Sequence, residues 1–139
     1  MINFEKDIVT VRPKIITDTI QKLPNYVGIS EVTAGAKGIS MNMVVIPAGA
    51  KAEPHYHDGF ETAIYLLKGK VETFYGKNLE KSITNIEGDF IFIPEGVPHQ
   101  PKNLSNSEAA IAIVSRNDPN EQESVQVYNL ASNSMDQTP

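Results

Sequence analysis

Apolar and polar positions alternate in short runs along most of the chain, and glycine, proline or asparagine separates one run from the next. The clearest runs are AIYLL, VETFY, SITNI, DFIFI and AAIAIVS, with turn residues recurring about every ten residues between them. Alternation with a period of two places successive side chains on opposite faces of a strand. Many short strands at this spacing predict an all-β sandwich or barrel, and no pattern predicts a helix longer than two turns.

The two ends of the chain are less regular than the middle. Residues 4–11 and 14–20 alternate in short pieces around Pro13, which predicts one or two edge strands, although 18–23 also fits a helical turn. We expect further strands over 26–32, 39–46 and 124–128. The tail, 131–139, is polar without any apolar pattern, which predicts disorder. The expected organisation is therefore a single domain over 1–130 with a barrel core over about 39–115.

A polar turn over 117–120 follows the last strand of this core. Arg116, Glu121 and Glu123 flank it and could reach a ligand. Side chains beside a polar turn are usually solvated, so the sequence assigns these three no role.

Three of the predicted strands, MVVI, AIYLL and AIAIV, are apolar on both faces. The outer faces of a solitary sandwich are normally polar, so something is expected to cover these strands. The terminal segments could do so, or a second copy of the chain across a two-fold interface. A homodimer is favoured because 139 residues leave little chain to cover both sheets.

Composition narrows the function. The chain contains no cysteine, which excludes disulfides, thiolate metal sites and a cysteine nucleophile. A net charge of −5 with scattered basic residues argues against a nucleic-acid surface. No run is long enough to span a membrane and the N-terminus lacks a secretion-signal pattern, so we expect a cytoplasmic protein with a small-molecule partner.

The candidate chemistry lies in two stretches, GAKAEPHYHDGFETAIYLLKG and GDFIFIPEGVPHQPKN, which contain all three histidines of the chain. His55 and His57 are two apart, so both imidazoles lie on one face of an extended strand. His99, in a turn bounded by proline and glycine, could add a third nitrogen, and Glu61 offers a nearby carboxylate. Nitrogen and oxygen ligands of this kind suit Zn, Fe, Mn, Ni or Cu.

The two stretches resemble the two motifs of the cupin family. Gly88, Pro94, Gly96, His99 and Asn103 fit every fixed position of the second motif. The first motif fits through Gly49, the histidine pair and Glu61, but seven residues rather than six separate Glu61 from Gly69. The resemblance implies a double-stranded β-helix, or jelly-roll barrel, in which a divalent transition metal is bound by His55, His57, Glu61 and His99. It also makes Tyr65, Phe92 and Gln100 candidate pocket-lining residues.

The extra residue in the first motif leaves the role of Glu61 open. Counted back from Gly69, the position where the family ligand usually falls is Thr62. A slip of one residue reverses the face of a strand. Either a bulge absorbs the extra residue and Glu61 faces inward, which the spacing from His57 favours, or three histidines hold the metal with water.

Two classes of function follow from the resemblance. One is a metal enzyme acting on a small oxygen-rich molecule, by O₂ activation of the dioxygenase type or by Lewis-acid isomerase or lyase chemistry. The other is a non-catalytic cupin that binds a sugar-like or acidic metabolite. A sensor domain of a transcription factor is disfavoured, because the sequence contains no helix-turn-helix pattern.

Overall fold

The computed structural model describes residues 1–13, 15–16, 23–120 and 125–130. Within them the chain forms one short helix, α1 (Glu31–Ala34), and eleven strands. The strands are β1 (Ile15–Ile16), β2 (Asn25–Ile29), β3 (Ser40–Ile46), β4 (His55–His57), β5 (Thr62–Lys68), β6 (Lys70–Tyr75), β7 (Lys81–Ile86), β8 (Phe90–Ile93), β9 (His99–Asn103), β10 (Ala110–Arg116) and β11 (Val125–Val127). No helix among these described residues is long and apolar enough to cross a membrane.

The strands form two antiparallel sheets that face each other. The six-stranded sheet has the order β1-β2-β3-β10-β5-β8, and the five-stranded sheet has the order β11-β4-β9-β6-β7. Non-consecutive strands are neighbours in both sheets, as in a jelly roll. The all-β, double-sheet fold predicted from the alternating pattern is confirmed.

The strands predicted in the middle of the chain form close to their expected positions, and two segments nearer the N-terminus differ. Residues 4–11 form no strand and are exposed except for Val11. The strand predicted over 26–32 stops at Ile29, because Ser30 and Thr33 form a capping box that starts α1. The segment around 18–22, the tail 131–139 and residues Glu121 and Glu123 lie outside the described residues.

The segment from His99 to Asn103 is a strand, β9, whereas the sequence placed His99 in a turn. It pairs with β6 over its full length and with β4 at His55. Pro101 has no N–H to donate, but its carbonyl accepts a hydrogen bond from the Ala52 N–H at 3.0 Å. The prolines in this segment suggested a turn, whereas backbone partners on both sides hold it extended.

Alternate residues of the strands point between the sheets. The buried apolar residues at one end of this space form the core, and they include Ile46, Ala52, Leu66, Val71 and Ala110. The histidines occupy the other part of the same space, on β4 and β9. Aliphatic side chains therefore fill one end of the barrel, and the histidines lie on the inner wall in the other part.

The outer face of the six-stranded sheet is apolar and largely exposed. Phe90 is 84% exposed and Phe92 60% exposed, and Met41 and Leu67 are about half exposed. Tyr65 lies on the same face and packs against Phe90, with ring centroids 4.9 Å apart. The described N-terminal residues, 1–13, are themselves mostly exposed, so they do not bury this surface.

Candidate metal centre

Three histidines from two neighbouring strands meet inside the barrel. His55 and His57 are alternate residues of β4, and His99 begins β9 directly opposite His55. Their ring centroids are 4.3 to 5.4 Å apart, and all three side chains are at most 5% exposed. One ligand nitrogen from each ring lies within 4.8 Å of the others. The structure thus brings together the three histidines singled out from the sequence.

Backbone carbonyl groups fix the orientation of two of these rings. Nδ1 of His55 lies 2.7 Å from the Glu53 carbonyl oxygen, and Nδ1 of His99 lies 2.8 Å from that of Val97. A carbonyl only accepts, so Nδ1 carries the proton and donates in both rings. Nε2 of each ring therefore keeps its lone pair for a metal, which is the arrangement that backbone partners of metal-binding histidines commonly impose.

Burial keeps all three histidines neutral. Desolvation lowers the pKa of His55 to about 4 and that of His99 to about 3. Desolvation, followed by the nearby Arg116 guanidinium, lowers the pKa of His57 to about 2. Neutral imidazole is the form that binds a metal, so the site is in its binding state at neutral pH.

Arg116 faces the histidines from the six-stranded sheet, and the sequence had assigned it no role. It is 6% exposed at the end of β10, its Nε donates to Thr62 Oγ1 at 3.1 Å, and its Nη2 lies 3.4 Å from His57 Nε2. The alternating sequence of β10 could have shown that Arg116 points inward. Ala110, Ala112 and Val114 are buried alternate residues of β10, and the same alternation continued by two places puts Arg116 on the inner face.

Glu61 does not join the cluster. It precedes β5, is exposed, and its backbone N–H donates to Asn117 Oδ1 at 2.8 Å. Thr62 takes the inward position and is 2% exposed. The strand does contain an irregularity, but it lies at Leu67, where Ile111 faces Lys68 and Ala112 faces Leu66. It follows the inward residues Thr62 and Leu66, so it does not turn Glu61 inward, and Glu61 lies outside the cluster that the three histidines form.

The three candidate pocket-lining residues also lie outside the cavity. Tyr65 and Phe92 are on the outer face of the six-stranded sheet, and Gln100 donates from Nε2 to the Ala52 carbonyl at 3.0 Å. Each is adjacent in sequence to a residue that does line the cavity. These neighbours are Ile64, Leu66, Ile91, Ile93, His99 and Pro101. Tyr65 and Phe92 were placed in the correct strands and on the wrong face, and Gln100 lies in a strand, β9, that was not predicted.

The cavity beside the histidines measures about 90 Å³. Its wall is mostly aliphatic, and its polar residues other than the histidines are Asn25, Asn42, Thr62, Thr73 and Arg116. No aspartate or glutamate of the described part of the chain lines it. A charged or reacting group in this cavity would therefore meet imidazole, amide, hydroxyl and guanidinium groups.

The donor set fits a divalent transition metal. Two nitrogens bound to one ion at about 2.0–2.1 Å can be no more than about 4.2 Å apart. The histidine nitrogens lie within 4.8 Å of one another, so movements of the rings by less than about 1 Å would bring all three to one ion. The His57 nitrogen that faces Arg116 is Nε2, so a metal would displace that long contact while the Arg116 to Thr62 bond is kept.

Comparison with known proteins agrees with this architecture. Residues 42–115 match the family model described as a cupin domain. An uncharacterized protein of Aquifex aeolicus is 39% identical over 62 residues, which is 45% of this chain and 49% of that protein. The chain thus spans about half the length of this curated relative.

Solved structures of oxalate decarboxylase share the fold. A formate complex from Lactobacillus farciminis superposes with a TM-score of 0.68 at 19% identity, covering 92% of this chain and 36% of the other. The enzyme from Bacillus subtilis, studied for its Mn(II) centres, gives a TM-score of 0.66 at 19% identity, covering 76% of this chain and 28% of the other. At this identity the likeness concerns the fold.

Proposed function

This chain belongs to the cupin family, and on that premise we propose that it is a metal-dependent cupin that acts on a small oxygen-rich molecule. His55, His57 and His99 would hold a divalent transition metal, with Fe, Mn, Ni, Zn or Cu all compatible with the ligands. The observation that carries the proposal is the buried cluster of three neutral imidazoles with ligand nitrogens within 4.8 Å of one another.

Three protein ligands leave coordination positions for water or substrate, which is the arrangement of catalytic rather than structural metal sites. A metal bound there would supply Lewis-acid polarisation of a carbonyl or carboxylate, or O₂ activation if it is redox-active. The aliphatic wall would exclude water from the bound molecule, and Arg116 would attract a negative charge beside the histidines.

A second candidate is a non-catalytic cupin that binds an acidic or sugar-like metabolite. The absence of aspartate and glutamate from the described cavity wall favours it, because no carboxylate of the described residues is in place there to transfer a proton. The two candidates share the site and differ in turnover.

Elemental analysis of protein purified without added metal tests the proposal. About one equivalent of a transition metal per chain is expected, and a chain that stays empty after incubation with each candidate ion would contradict it. Oxygen-uptake and carbonyl-isomerisation screens of the loaded protein follow. Iron, manganese, nickel or copper with oxygen uptake would identify O₂ chemistry, zinc with isomerisation would identify Lewis-acid chemistry, and saturable binding without turnover would select the second candidate.

We also propose that the protein is a cytoplasmic homodimer with one domain over 1–130. The apolar outer face of the six-stranded sheet supports the dimer, since Phe90, Phe92 and Leu67 are exposed on the neighbouring strands β8 and β5, and Met41 is exposed on β3 of the same sheet. A two-fold interface uses the same surface on both copies, so a single apolar patch is sufficient to form it.

A further inference from the structure

The N-terminal segment, residues 1–13, exposes large apolar side chains that the rest of the described chain does not cover. Phe4 is 93% exposed and Ile8 is 100% exposed. The Glu5 N–H donates to Asn3 Oδ1 at 3.0 Å within the segment, and no backbone hydrogen bond joins the segment to another described residue. We call this segment the N-terminal arm. Apolar side chains held in water in this way indicate a surface that covers them.

The N-terminal arm has the side-chain pattern of a strand. Over residues 4–8 the two large apolar side chains, Phe4 and Ile8, fall on one face of an extended chain, and the two carboxylates, Glu5 and Asp7, fall on the other. The sequence predicted an edge strand here for this reason. The arm thus has a strand's alternation and, within the described chain, no strand to pair with.

Strand β8 offers a free edge of the six-stranded sheet. It is the last strand of that sheet, and among the described strands it pairs with β5 alone. The Leu66 N–H of β5 donates to the Asp89 carbonyl at 3.0 Å, and hydrogen-bonded pairs alternate along an antiparallel ladder. The backbone N–H and C=O groups of Phe90 and Phe92, one and three residues further on, therefore face away from β5. Such outward groups are what an added strand binds.

The free edge of β8 adjoins the apolar outer face of its sheet. The side chains of Phe90 and Phe92 are 84% and 60% exposed there. A strand added to this edge with one apolar face would extend the apolar surface and cover part of it. Resting on the proposed dimer, we propose that two copies of the chain exchange their N-terminal arms. Residues 4–8 of each copy pair with β8 of the other, and Phe4 and Ile8 lie beside the two phenylalanines.

The position of β1 favours a second copy over the arm's own sheet. β1 follows the arm in sequence and lies at the edge opposite to β8, five strand spacings of about 4.8 Å away. To reach its own β8, the arm would have to lie across the outer face, yet the arm and that face are both exposed. Thirteen extended residues span up to about 43 Å, and sheets that face each other lie about 10 Å apart. The arm is therefore long enough to reach a second copy, and a two-fold axis makes the exchange reciprocal.

Disulfide formation between two differently labelled chains tests the exchange, because the chain contains no cysteine of its own. Phe4→Cys or Ile8→Cys is placed in unlabelled protein, and Phe90→Cys or Phe92→Cys in protein labelled with ¹⁵N. The two proteins are refolded together and oxidised, and mass spectrometry counts the mixed disulfides. At least one of the four pairs should form about tenfold more mixed disulfide than Val32→Cys with the same partner, because only neighbouring Cα atoms can be bridged. Val32 is the matched control, since it is 94% exposed on α1.

The alternation of a strand distinguishes a paired arm from one that only collides with the other copy. Asp7→Cys, one residue from Ile8 and on the opposite face, should form less mixed disulfide than Ile8→Cys. Equal yields from both positions, or no yield above that of Val32→Cys, would overturn the exchange. So would a chain carrying both Ile8→Cys and Phe92→Cys that closes its disulfide mainly at the monomer mass, since the arm would then cover its own sheet.

Charges placed on the arm separate the exchange from the dimer on which it rests. Phe4→Asp combined with Ile8→Asp should weaken the dimer at least about tenfold by light scattering, whereas Phe4→Leu combined with Ile8→Leu should retain it. Both side chains are exposed within one chain, so these variants should fold. A dimer that is equally strong in the aspartate variant contradicts the exchange and leaves the face-to-face dimer standing. A wild-type protein that is monomeric near 15.3 kDa at every concentration contradicts the dimer and the exchange together.

Discussion

The two faces of the six-stranded sheet reverse the usual arrangement, in which the buried face is apolar and the exposed face is polar. The inner face carries a buried guanidinium and two buried asparagines among aliphatic residues. The outer face carries aromatic and aliphatic residues, with Phe90 84% exposed. A single alternating sequence over β5 and β10 produces both faces, because successive side chains point to opposite sides.

The buried polar groups and the exposed apolar surface have different physical meanings. Burying a polar side chain costs free energy unless it is hydrogen-bonded, and the Oδ1 atoms of Asn25 and Asn42 have no partner among the described residues. Exposing a contiguous apolar surface also costs free energy, and such a surface commonly indicates a protein partner. Inner-face changes should therefore affect ligand and metal binding, and outer-face changes should affect association.

The largest effect is expected from removing the inner-face nitrogens. In a variant with His55, His57 and His99 all replaced by alanine, metal content should fall from about one equivalent to near zero, because no other described residue of the cavity wall is a strong metal ligand. Elemental analysis after dialysis measures this. Gln100→Ala is the matched control, since it alters the outward neighbour of His99 and should retain the metal. Unchanged metal content in the triple variant would contradict the site.

The second effect concerns the stability of the metal-free protein in acid. The folded histidine pKa values, about 4, 2 and 3, lie below the unfolded value of 6.5, so the unfolded state takes up more protons as the pH falls. Stability present above pH 6.5 is therefore lost toward pH 4, by up to about 1.4 kcal/mol per pH unit for each histidine. Urea unfolding at several pH values after chelation measures the slope.

A single substitution gives the control for this slope. His55→Gln should reduce it by about one third, because one of the three buried imidazoles no longer takes up a proton on unfolding. A slope that is the same in both proteins would show that other groups cause the acid sensitivity.

The contrast between faces also explains what could be predicted from the sequence. Alternation and turn residues were enough for the strands and the fold, and the His-x-His spacing was enough for the pair on β4. Alternation alone does not say which of two neighbouring residues points inward. Tyr65, Phe92 and Gln100 were therefore each assigned one residue away from the cavity wall, and Glu61 one residue from Thr62.

The contacts of Arg116 and the extent of β9 depend on how strands that are distant in the sequence pair with one another. Arg116 reaches the histidines only because β10 lies beside β5 and the two sheets face each other. The contact between Arg116 and His57 joins residues 59 positions apart, and no local pattern encodes that separation. The prolines around His99 hid β9 for a related reason, since its strand partners lie far away in sequence.

An outer-face substitution should change association without changing the metal site. Phe92→Asp combined with Leu67→Asp places charges on the apolar surface and should convert the dimer into a monomer near 15.3 kDa. Light scattering over a wide concentration range measures this, with metal content expected to stay the same. Ile83→Asp is the control, because Ile83 is 50% exposed on the other sheet and should leave the dimer intact. A wild-type monomer at every concentration would contradict the interface.

The smallest effect is also the most direct test of which residue faces inward at the start of β5. Glu61 is exposed, so Glu61→Gln should leave metal content unchanged and alter the free energy of unfolding by less than about 0.5 kcal/mol. Thr62→Val removes the acceptor for the buried Arg116 Nε and should cost about 1–3 kcal/mol. Urea unfolding and elemental analysis of both variants decide the matter. Loss of metal from the glutamine variant, with the valine variant unaffected, would reverse the assignment and make Glu61 a ligand.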